Sequence, residues 1–276
     1  MTAQHPFDAA MALTPSEASP DVLTGCVSPT YWNMVGPFGG TTAATAVQAL
    51  MQHPARLGEP LSVTVNFAAA LGPGTFQISA RPVRTNRSTQ HWVIELTQAD
   101  ATGADSVLMT ATAVTAARRQ TWSQNDTPMP VVPPPHTLPQ PHYPADLAWV
   151  KAYDMRLVQG AVPDVLDGSG EHSLSQIWLR DEPPRPLDFA ALTAMADAFF
   201  PRIWLRRASR VPAGTVSLTV YFHAGSDELA QSGSGYLLGQ AQAQAFRNGF
   251  FDQAAQLWTD AGVLLATAHQ IVYYKE

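Results

Sequence analysis

The charge of this 276-residue chain argues against nucleic acid as a partner. Its 22 Asp and Glu residues outnumber its 16 Lys and Arg residues and give a net charge of −6. Its basic residues form no cluster beyond short pairs such as Arg118 and Arg119, so neither nucleic acid nor an anionic membrane is an expected partner. Charged residues are only 14% of the chain and hydrophobic residues 46%, so we expect a homo-oligomer, a dimer or larger, that covers apolar surface.

The first half of the chain predicts one main helix followed by strands. A short helix over residues 7–13 and a strand in VLTGCVSPTYW precede Gly39 and Gly40, which open a helix in GPFGGTTAATAVQALMQ. Four segments rich in Val, Ile, Thr and aromatic residues then predict strands: LSVTVNFAAAL, GTFQISARPVRTN, TQHWVIELTQA and VLMTATAVTAAR. One helix followed by a run of strands is typical of an α+β fold.

A proline-rich segment separates the two halves. Residues 127–144 contain eight prolines, so they can form neither a helix nor a central strand. The segment is either a linker or an extended strap on the surface.

The second half repeats the first. Strands are predicted in YDMRLVQGAV and LSQIWLRD, followed by a helix and by strands in GTVSLTVYFHA, GYLLGQAQAQAFR, QAAQLWTDAG and GVLLATAHQIVYYK. Residues 61–68 match 216–223, and 107–114 match 263–270, both about 155 positions apart. Such a long period indicates a duplicated domain, with units at 1–125 and 149–276 joined by a linker at 126–148.

The helix of the second half, predicted over residues 187–204, contains a buried charge. Its sequence LDFAALTAMADAFFPRIW is apolar on almost every side around Asp197. An unpaired buried carboxylate is costly, so Asp197 must find hydrogen-bond partners, accept a raised pKa or have a function. Alternatively it lies on a wet edge of the helix or bonds Thr193 one turn earlier.

Several classes of site and location are disfavoured by the sequence. Cys26 is the only cysteine, so neither an intrachain disulfide nor a cysteine metal cluster can form, and no histidine pair has the helical spacing of a metalloprotease. The first 20 residues lack a basic segment followed by an apolar one, and no apolar run has the roughly 18 residues needed to span a membrane. We therefore expect a cytoplasmic protein without a membrane partner.

Three short motifs resemble those of the acyl-CoA thioesterase II family. They are Phe-Gly-Gly at residues 38–40, Gln-Ile-Trp-Leu-Arg at 176–180 and Ala-Thr-Ala-His-Gln at 266–270. The resemblance covers roughly residues 20 to 275. It implies a double hotdog, in which two long central helices are each wrapped by a curved antiparallel sheet and the sheets join edge to edge.

The resemblance also implies a site and a reaction. The family's catalytic Asp, Thr and Gln fall on Asp197, Thr215 and Gln270, which would hold the water that hydrolyses an acyl-CoA to free acid and CoA. No cofactor or metal is expected. This chain departs from the family in Thr41, Thr42 and Ala43 after the glycines and in Ile271 where an acidic residue is often found, so the substrate is less certain than the reaction.

The residue pattern supports Gln270 more than Thr215. Alternation in VLLATAHQIVYY puts Gln270 on a face of small apolar residues, and the equivalent positions of the first half, Val114 and about Ala46, hold no Gln and no Asp. A structural Gln at the sheet edge is the alternative. Alternation in GTVSLTVYFH sends Thr215 and Ser217 to the same face, so either hydroxyl could orient the water.

Gly39 and Gly40 are candidate substrate-binding residues. Their N–H groups lie in the first turn of a helix, where backbone donors lack partners and attract negative charge, as an oxyanion requires. The alternative is that the glycines only allow tight packing.

Two other functions compete with hydrolysis. A hotdog acyl-CoA hydratase or dehydratase would need a histidine paired with the aspartate, for which His223 or His269 could serve. A non-catalytic acyl-CoA binding protein would keep Asp197 as a structural carboxylate only.

Overall fold

One antiparallel sheet dominates the computed structural model of the chain, which describes residues 4–100, 102–140 and 147–276. The first half contains two α-helices, α1 (Pro6–Ala10) and α2 (Gly39–Gln52), and six strands, β1 (Thr14–Pro15), β2 (Val22–Cys26), β3 (Glu59–Phe67), β4 (Thr75–Thr85), β5 (Thr89–Ala99) and β6 (Asp105–Ala116). A 3₁₀ turn at Pro29–Tyr31 precedes α2, and others at Pro135–Thr137 and Trp149–Ala152 follow β6.

The second half contributes the remaining strands and three short helices. These are β7 (Tyr153–Gln159), β8 (Ser175–Asp181), α3 (Phe189–Met195), α4 (Arg202–Arg206), β9 (Ala213–Phe222), α5 (Ser226–Ser232), β10 (Leu237–Gln242), β11 (Phe246–Arg247), β12 (Phe250–Thr259) and β13 (Leu264–Tyr274). No helix of the described residues is both long enough and apolar enough to cross a membrane.

The strand order shows how the two halves meet. It runs β2–β4–β5–β6–β3 in the first half and continues, in mirrored order, as β9–β13–β12–β10–β8, with β1 and β7 at the edges. Strands β3 and β9 pair antiparallel, and Thr64 lies directly opposite Thr219 with their hydroxyl oxygens 3.0 Å apart. These threonines are 155 positions apart, the spacing of the sequence repeat, so an approximate two-fold axis passes between them.

The prediction of one long helix over residues 187–204 is wrong. Helix α3 has seven residues and ends at Met195, and α4 starts only at Arg202. Pro201 cannot donate a backbone hydrogen bond, and its ring disfavours helical backbone at the preceding Phe200. Asp197 lies in the turn between the helices, where its N–H donates to the carbonyl of Ala194.

Helices α2 and α3 pack against each other on the inner face of the sheet. Their backbones approach most closely at Gly40, where a Cβ atom would lie 2.5 Å from the carbonyl oxygen of Ala194. Glycine is therefore needed at this position for tight packing, which was the alternative interpretation of Gly39 and Gly40. The contact brings the start of α2 to the turn that carries Asp197.

The inner face of the sheet forms the core. In β13 the inward positions are Ala266, Ala268, Gln270 and Val272, all buried, and in β6 Ala111 and Ala113 are buried. Val114 is only half-buried and points outward, so the first-half counterpart of Gln270 is Ala113 rather than Val114. The counterpart is still apolar, so only the second half has an amide at this strand position.

The proline-rich segment is a surface strap over its described part. On the outer face of the second half, Trp178, Leu238 and Trp258 lie side by side in β8, β10 and β12 and are all buried. The indole N–H of Trp178 donates to the carbonyl of Pro133 at 2.9 Å, which holds the strap on this outer row. The end of the predicted segment, from residue 141 on, lies outside the described residues.

Candidate active site

Asp197 is a buried carboxylate with partners from both halves of the chain. Only 8% of the residue is exposed, so it does not lie on a wet edge, and Thr193 donates to the carbonyl of Phe189 rather than to Asp197. Burial raises the pKa of the Asp197 carboxyl from 3.8 to about 7, whereas hydrogen bonds from Gln270 and from the backbone N–H of Gly40 favour its charged form. At neutral pH the group can both accept and release a proton.

Gln270 links Asp197 to Thr215. Its side-chain Nε2 donates to Asp197 Oδ1 at 2.8 Å, and its Oε1 accepts a hydrogen bond from the Thr215 hydroxyl at 3.2 Å. Both ends of the buried amide are therefore used, and this fixes its orientation. The structure thus brings together the three residues that the sequence predicted as catalytic.

A β-bulge decides between Thr215 and Ser217. In the pairing of β9 with β13, Ser217 lies opposite Ile271 and Thr215 lies opposite Val272, so Val216 is an extra residue without a partner. The bulge reverses the alternation of side chains, which turns Thr215 to the inner face of Gln270 and leaves Ser217 on the outer face. The expectation that both hydroxyls share one face was wrong because alternation assumes a regular strand.

Gly39 and Gly40 both lie beside Asp197, with different consequences. The N–H of Gly40 is directed at the carboxylate. A Cβ atom on Gly39 would lie 2.8 Å from Asp197 Oδ2, so only glycine allows the carboxylate to approach the start of α2 this closely. Of the two expected oxyanion donors, the amide of Gly39 is therefore the better candidate, because that of Gly40 already has a partner.

Neither candidate histidine of a hydratase approaches Asp197. The ring Nε2 of His223 lies 3.0 Å from the hydroxyl of Thr267, and that of His269 lies 3.2 Å from Asp252 Oδ2. His269 is on the outer face of β13, opposite to Gln270. The aspartate and histidine pair that a hydratase needs is not formed by these residues.

Two further residues near the site were missed by sequence reasoning. Gln253 is buried on the inner face of β12, directly opposite Gln270, and its polar side chain at an inward position of FFDQAAQLWT was a usable signal. Tyr153 is buried near Asp197, and burial, followed by the charge of Asp181 and further charges including that of Asp197, raises its pKa. A tyrosine at the start of a strand has no sequence feature that separates it from an ordinary core residue.

The sequence matches two protein domains in tandem. Residues 28–116 match the acyl-CoA thioesterase N-terminal domain and residues 126–274 match the acyl-CoA thioesterase C-terminal domain. The comparison with curated proteins gave no match.

Solved structures share the architecture over the whole chain. A conserved protein of unknown function with a hot dog fold from Alicyclobacillus acidocaldarius is 45% identical, with a TM-score of 0.91 and 99% of each chain covered. The acyl-CoA thioesterase II TesB2 from Mycobacterium marinum is 18% identical, with a TM-score of 0.74 and 98% of each chain covered. The dehydratase domain of PpsC from Mycobacterium tuberculosis is more distant, at 12% identity, a TM-score of 0.57 and coverage of 99% of this chain and 100% of that one. At such identities the last two show the fold alone.

The raised pKa of Asp197 predicts how the Asp197→Asn variant changes stability with pH. A carboxyl whose pKa rises on folding stabilises the fold below its unfolded pKa of 3.8, and this stabilisation is lost as the pH rises through about 7. Asparagine stays neutral, so the variant should gain stability over the wild type from pH 4 to pH 8, by up to about 4 kcal/mol for a shift of roughly three units.

The measurement is denaturant unfolding of both proteins across this pH range. Asp181, whose pKa burial also raises to about 7, titrates in both proteins and cancels from the difference. The gain will be smaller than the limit because asparagine offers Gln270 and Gly40 one acceptor oxygen where aspartate offers two. Parallel stability curves for variant and wild type would contradict a raised pKa at Asp197.

Proposed function

Because the chain belongs to the acyl-CoA thioesterase family and is a thioester hydrolase, we propose that it hydrolyses an acyl-CoA to the free acid and CoA by attack of a water molecule that Asp197 deprotonates. The observation that carries this mechanism is a buried carboxylate with a pKa of about 7, held by Gln270 and by the start of α2. A general base is most effective when its pKa lies near the working pH.

In the proposed reaction the water lies beside the carboxylate of Asp197, near the start of α2. Asp197 takes one proton while the oxygen bonds to the thioester carbon, and the sulfur of CoA leaves as that carbon regains its double bond to oxygen. Gln270 donates a hydrogen bond to Oδ1 of Asp197, and Thr215 donates one to Gln270. Both residues therefore orient the carboxylate toward the water.

The developing negative charge on the thioester oxygen needs donors. The backbone N–H of Gly39 lies at the N-terminus of the 14-residue helix α2, where the helix dipole favours an anion. We assign Gly39 to this role and Gly40 to holding the carboxylate. Positioned donors of this kind stabilise transition states in acyl transfer.

We further propose that the fold is a tandem hotdog, with units at 1–125 and 149–276 joined by a linker at 126–148. The support is the mirrored strand order around the β3–β9 pair and the helix on the inner face in each half. The second unit departs from the expected pattern because its helix is short and followed by a turn. That turn is what carries Asp197.

Hydration or dehydration of an acyl-CoA is disfavoured because His223 and His269 contact other residues. Incubation with a panel of acyl-CoAs and a thiol reagent separates the functions. Free CoA indicates hydrolysis, hydration without release of thiol indicates a hydratase, and binding alone indicates a non-catalytic protein.

Asp197→Asn should lower kcat by roughly 10²- to 10⁴-fold, the usual contribution of a general base, with little change in KM. The wild-type kcat/KM should rise with pH through an inflection near 7, because only the deprotonated carboxylate accepts a proton. Thioester hydrolysis measured between pH 5 and pH 9 tests both.

Asp181→Asn is the matched control. Asp181 is 2% exposed, and burial also raises its pKa to about 7. Its partner is the charged Arg185 at 4.0 Å, whereas the partner of Asp197 is the neutral Gln270. This control should retain kcat and the inflection. Full activity in Asp197→Asn, or an equal loss in both variants, would remove Asp197 from the mechanism.

Thr215→Val should lower kcat by roughly 10-fold, because a valine of similar shape removes the hydrogen bond that fixes Gln270. Ser217→Ala removes a neighbouring hydroxyl on the outer face and should leave kcat unchanged. Equal effects of the two substitutions would mean that Thr215 has no special role.

We propose that a second copy of the chain covers the outer face of the second half. Tyr221, Phe250, Ile271 and Tyr273 are each more than two-fifths exposed there, and the rings of Phe250 and Tyr273 pack edge to face at 5.7 Å. Light scattering at micromolar concentration should give at least twice the mass of one chain, and Tyr221→Lys/Tyr273→Lys should reduce it to that of one. A wild-type monomer would contradict the proposal.

A further inference from the structure

A concave surface lies beside α4, the helix that follows the turn containing Asp197. This groove has a volume of about 550 Å³, within the range of small-molecule sites, and it is formed where α4 meets the ends of β10 and β13. We call it the basic groove and define it by His172, Arg206, Arg207, Phe246 and Tyr274, all of which line it. Two arginines beside two aromatic rings are a combination suited to a nucleotide.

Positive charge is concentrated around the basic groove. The segment RIWLRRASR, residues 202–210, holds four arginines, although the whole chain has only 16 Lys and Arg and a net charge of −6. Arg206, Arg207 and Arg210 are exposed. The four arginines are interspersed with apolar and small residues, so they do not form a run of basic residues in the sequence.

Acidic groups at the groove are few and exposed. Glu276 pairs with Arg207 at 2.9 Å, and both side chains are more than half exposed, so the pair is weak and can open. Glu171 is a lining residue. A phosphate could take the place of Glu276, because a guanidinium binds phosphate through two parallel hydrogen bonds.

Arg202 adds a charge behind the groove wall. Its fully buried guanidinium donates to the Ser173 carbonyl at 2.9 Å and to the Ser175 hydroxyl at 2.8 Å, and Ser173 itself lines the groove. Burial lowers the pKa of Arg202 to about 9, so the group stays protonated at neutral pH. These bonds also hold the wall rigid, which reduces the cost of ordering it around a ligand.

The basic groove and the site lie along the same strand, β13. Tyr274 lies four residues beyond Gln270 on the same strand face, a distance of roughly 13 Å at the rise of a β-strand. Its partner Ala213 is two residues from Thr215 on β9. A substrate with its thioester at Asp197 and an extended arm past α4 would place its other end in the groove.

We propose that the basic groove binds the nucleotide end of CoA, an adenosine diphosphate with a third phosphate on the ribose. Arg206 and Arg207 bind the phosphates, and the ring of Phe246 or Tyr274 stacks on the adenine. This inference rests on the proposed function, since it takes the thioester at Asp197 to be that of an acyl-CoA.

The test compares an acyl-CoA with the matching acyl-pantetheine, which has the same thioester but no nucleotide. Arg206→Gln/Arg207→Gln should raise KM for the acyl-CoA by roughly 10- to 100-fold, the effect of lost charged hydrogen bonds, with kcat retained. Its kcat/KM for acyl-pantetheine should equal that of the wild type. Glu276→Gln should act in the opposite direction and lower KM for the acyl-CoA, because it frees Arg207.

Arg84→Gln/Arg87→Gln is the matched control, because it removes the same charge from exposed positions at the turn between β4 and β5. It should leave both substrates unaffected. An unchanged KM in Arg206→Gln/Arg207→Gln, or equal losses with both substrates, would overturn the assignment of the groove.

Calorimetry with adenosine 3′,5′-bisphosphate separates failure of this inference from failure of the proposed function. Binding to the wild type that Arg206→Gln/Arg207→Gln abolishes supports the groove, even if no thioester is hydrolysed and the proposed function fails. Hydrolysis of acyl-CoA without such binding leaves the proposed function intact and overturns the groove.

Discussion

The carboxylate of Asp197 is the group on which the arrangement of the two halves depends. A buried charge is tolerated only where donors surround it, and here the donors come from different parts of the chain. Gly40 belongs to α2 in the first half, and Gln270 to the last strand of the second. Neither half could satisfy the carboxylate alone, so the site exists only where the halves are joined.

The two halves differ at the join, and this explains why the described residues form one such site rather than a symmetric pair. Pairing of β3 with β9 relates the halves by an approximate two-fold axis at Thr64 and Thr219, and α2 packs on α3 beneath it. A symmetric pair of sites would need an amide in β6, but the inward counterpart of Gln270 there is Ala113. The second half also replaces a long helix by a short one and a turn. The mirrored strand order forms the framework, and the site lies where the two halves differ.

The sequence predicted those parts of the site that follow from burial and regular periodicity. An acid in an apolar segment identified Asp197, and a polar residue at an inward strand position identified Gln270. The orientation of Thr215 was not predictable because one extra residue, Val216, reverses the alternation in a bulge that no residue type announces. The end of α3 at Met195 was missed because it lies inside the apolar run, six residues before Pro201, where no residue type marks a helix end. The basic groove depends on tertiary contacts between distant segments and could not be read from spacing alone.

The turn between α3 and α4 also affects the pKa of Asp197. Asp197 and Arg202 are opposite charges, both buried and five residues apart, yet Arg202 donates to the carbonyls of Phe200 and Ser173 instead of to the carboxylate. An ion pair between them would lower the pKa of Asp197 and weaken it as a proton acceptor. With Arg202 held at the groove wall, the aspartate keeps only neutral donors, and burial can raise its pKa to about 7. The turn thus separates the group that would bind a proton from the cation that would lower its pKa.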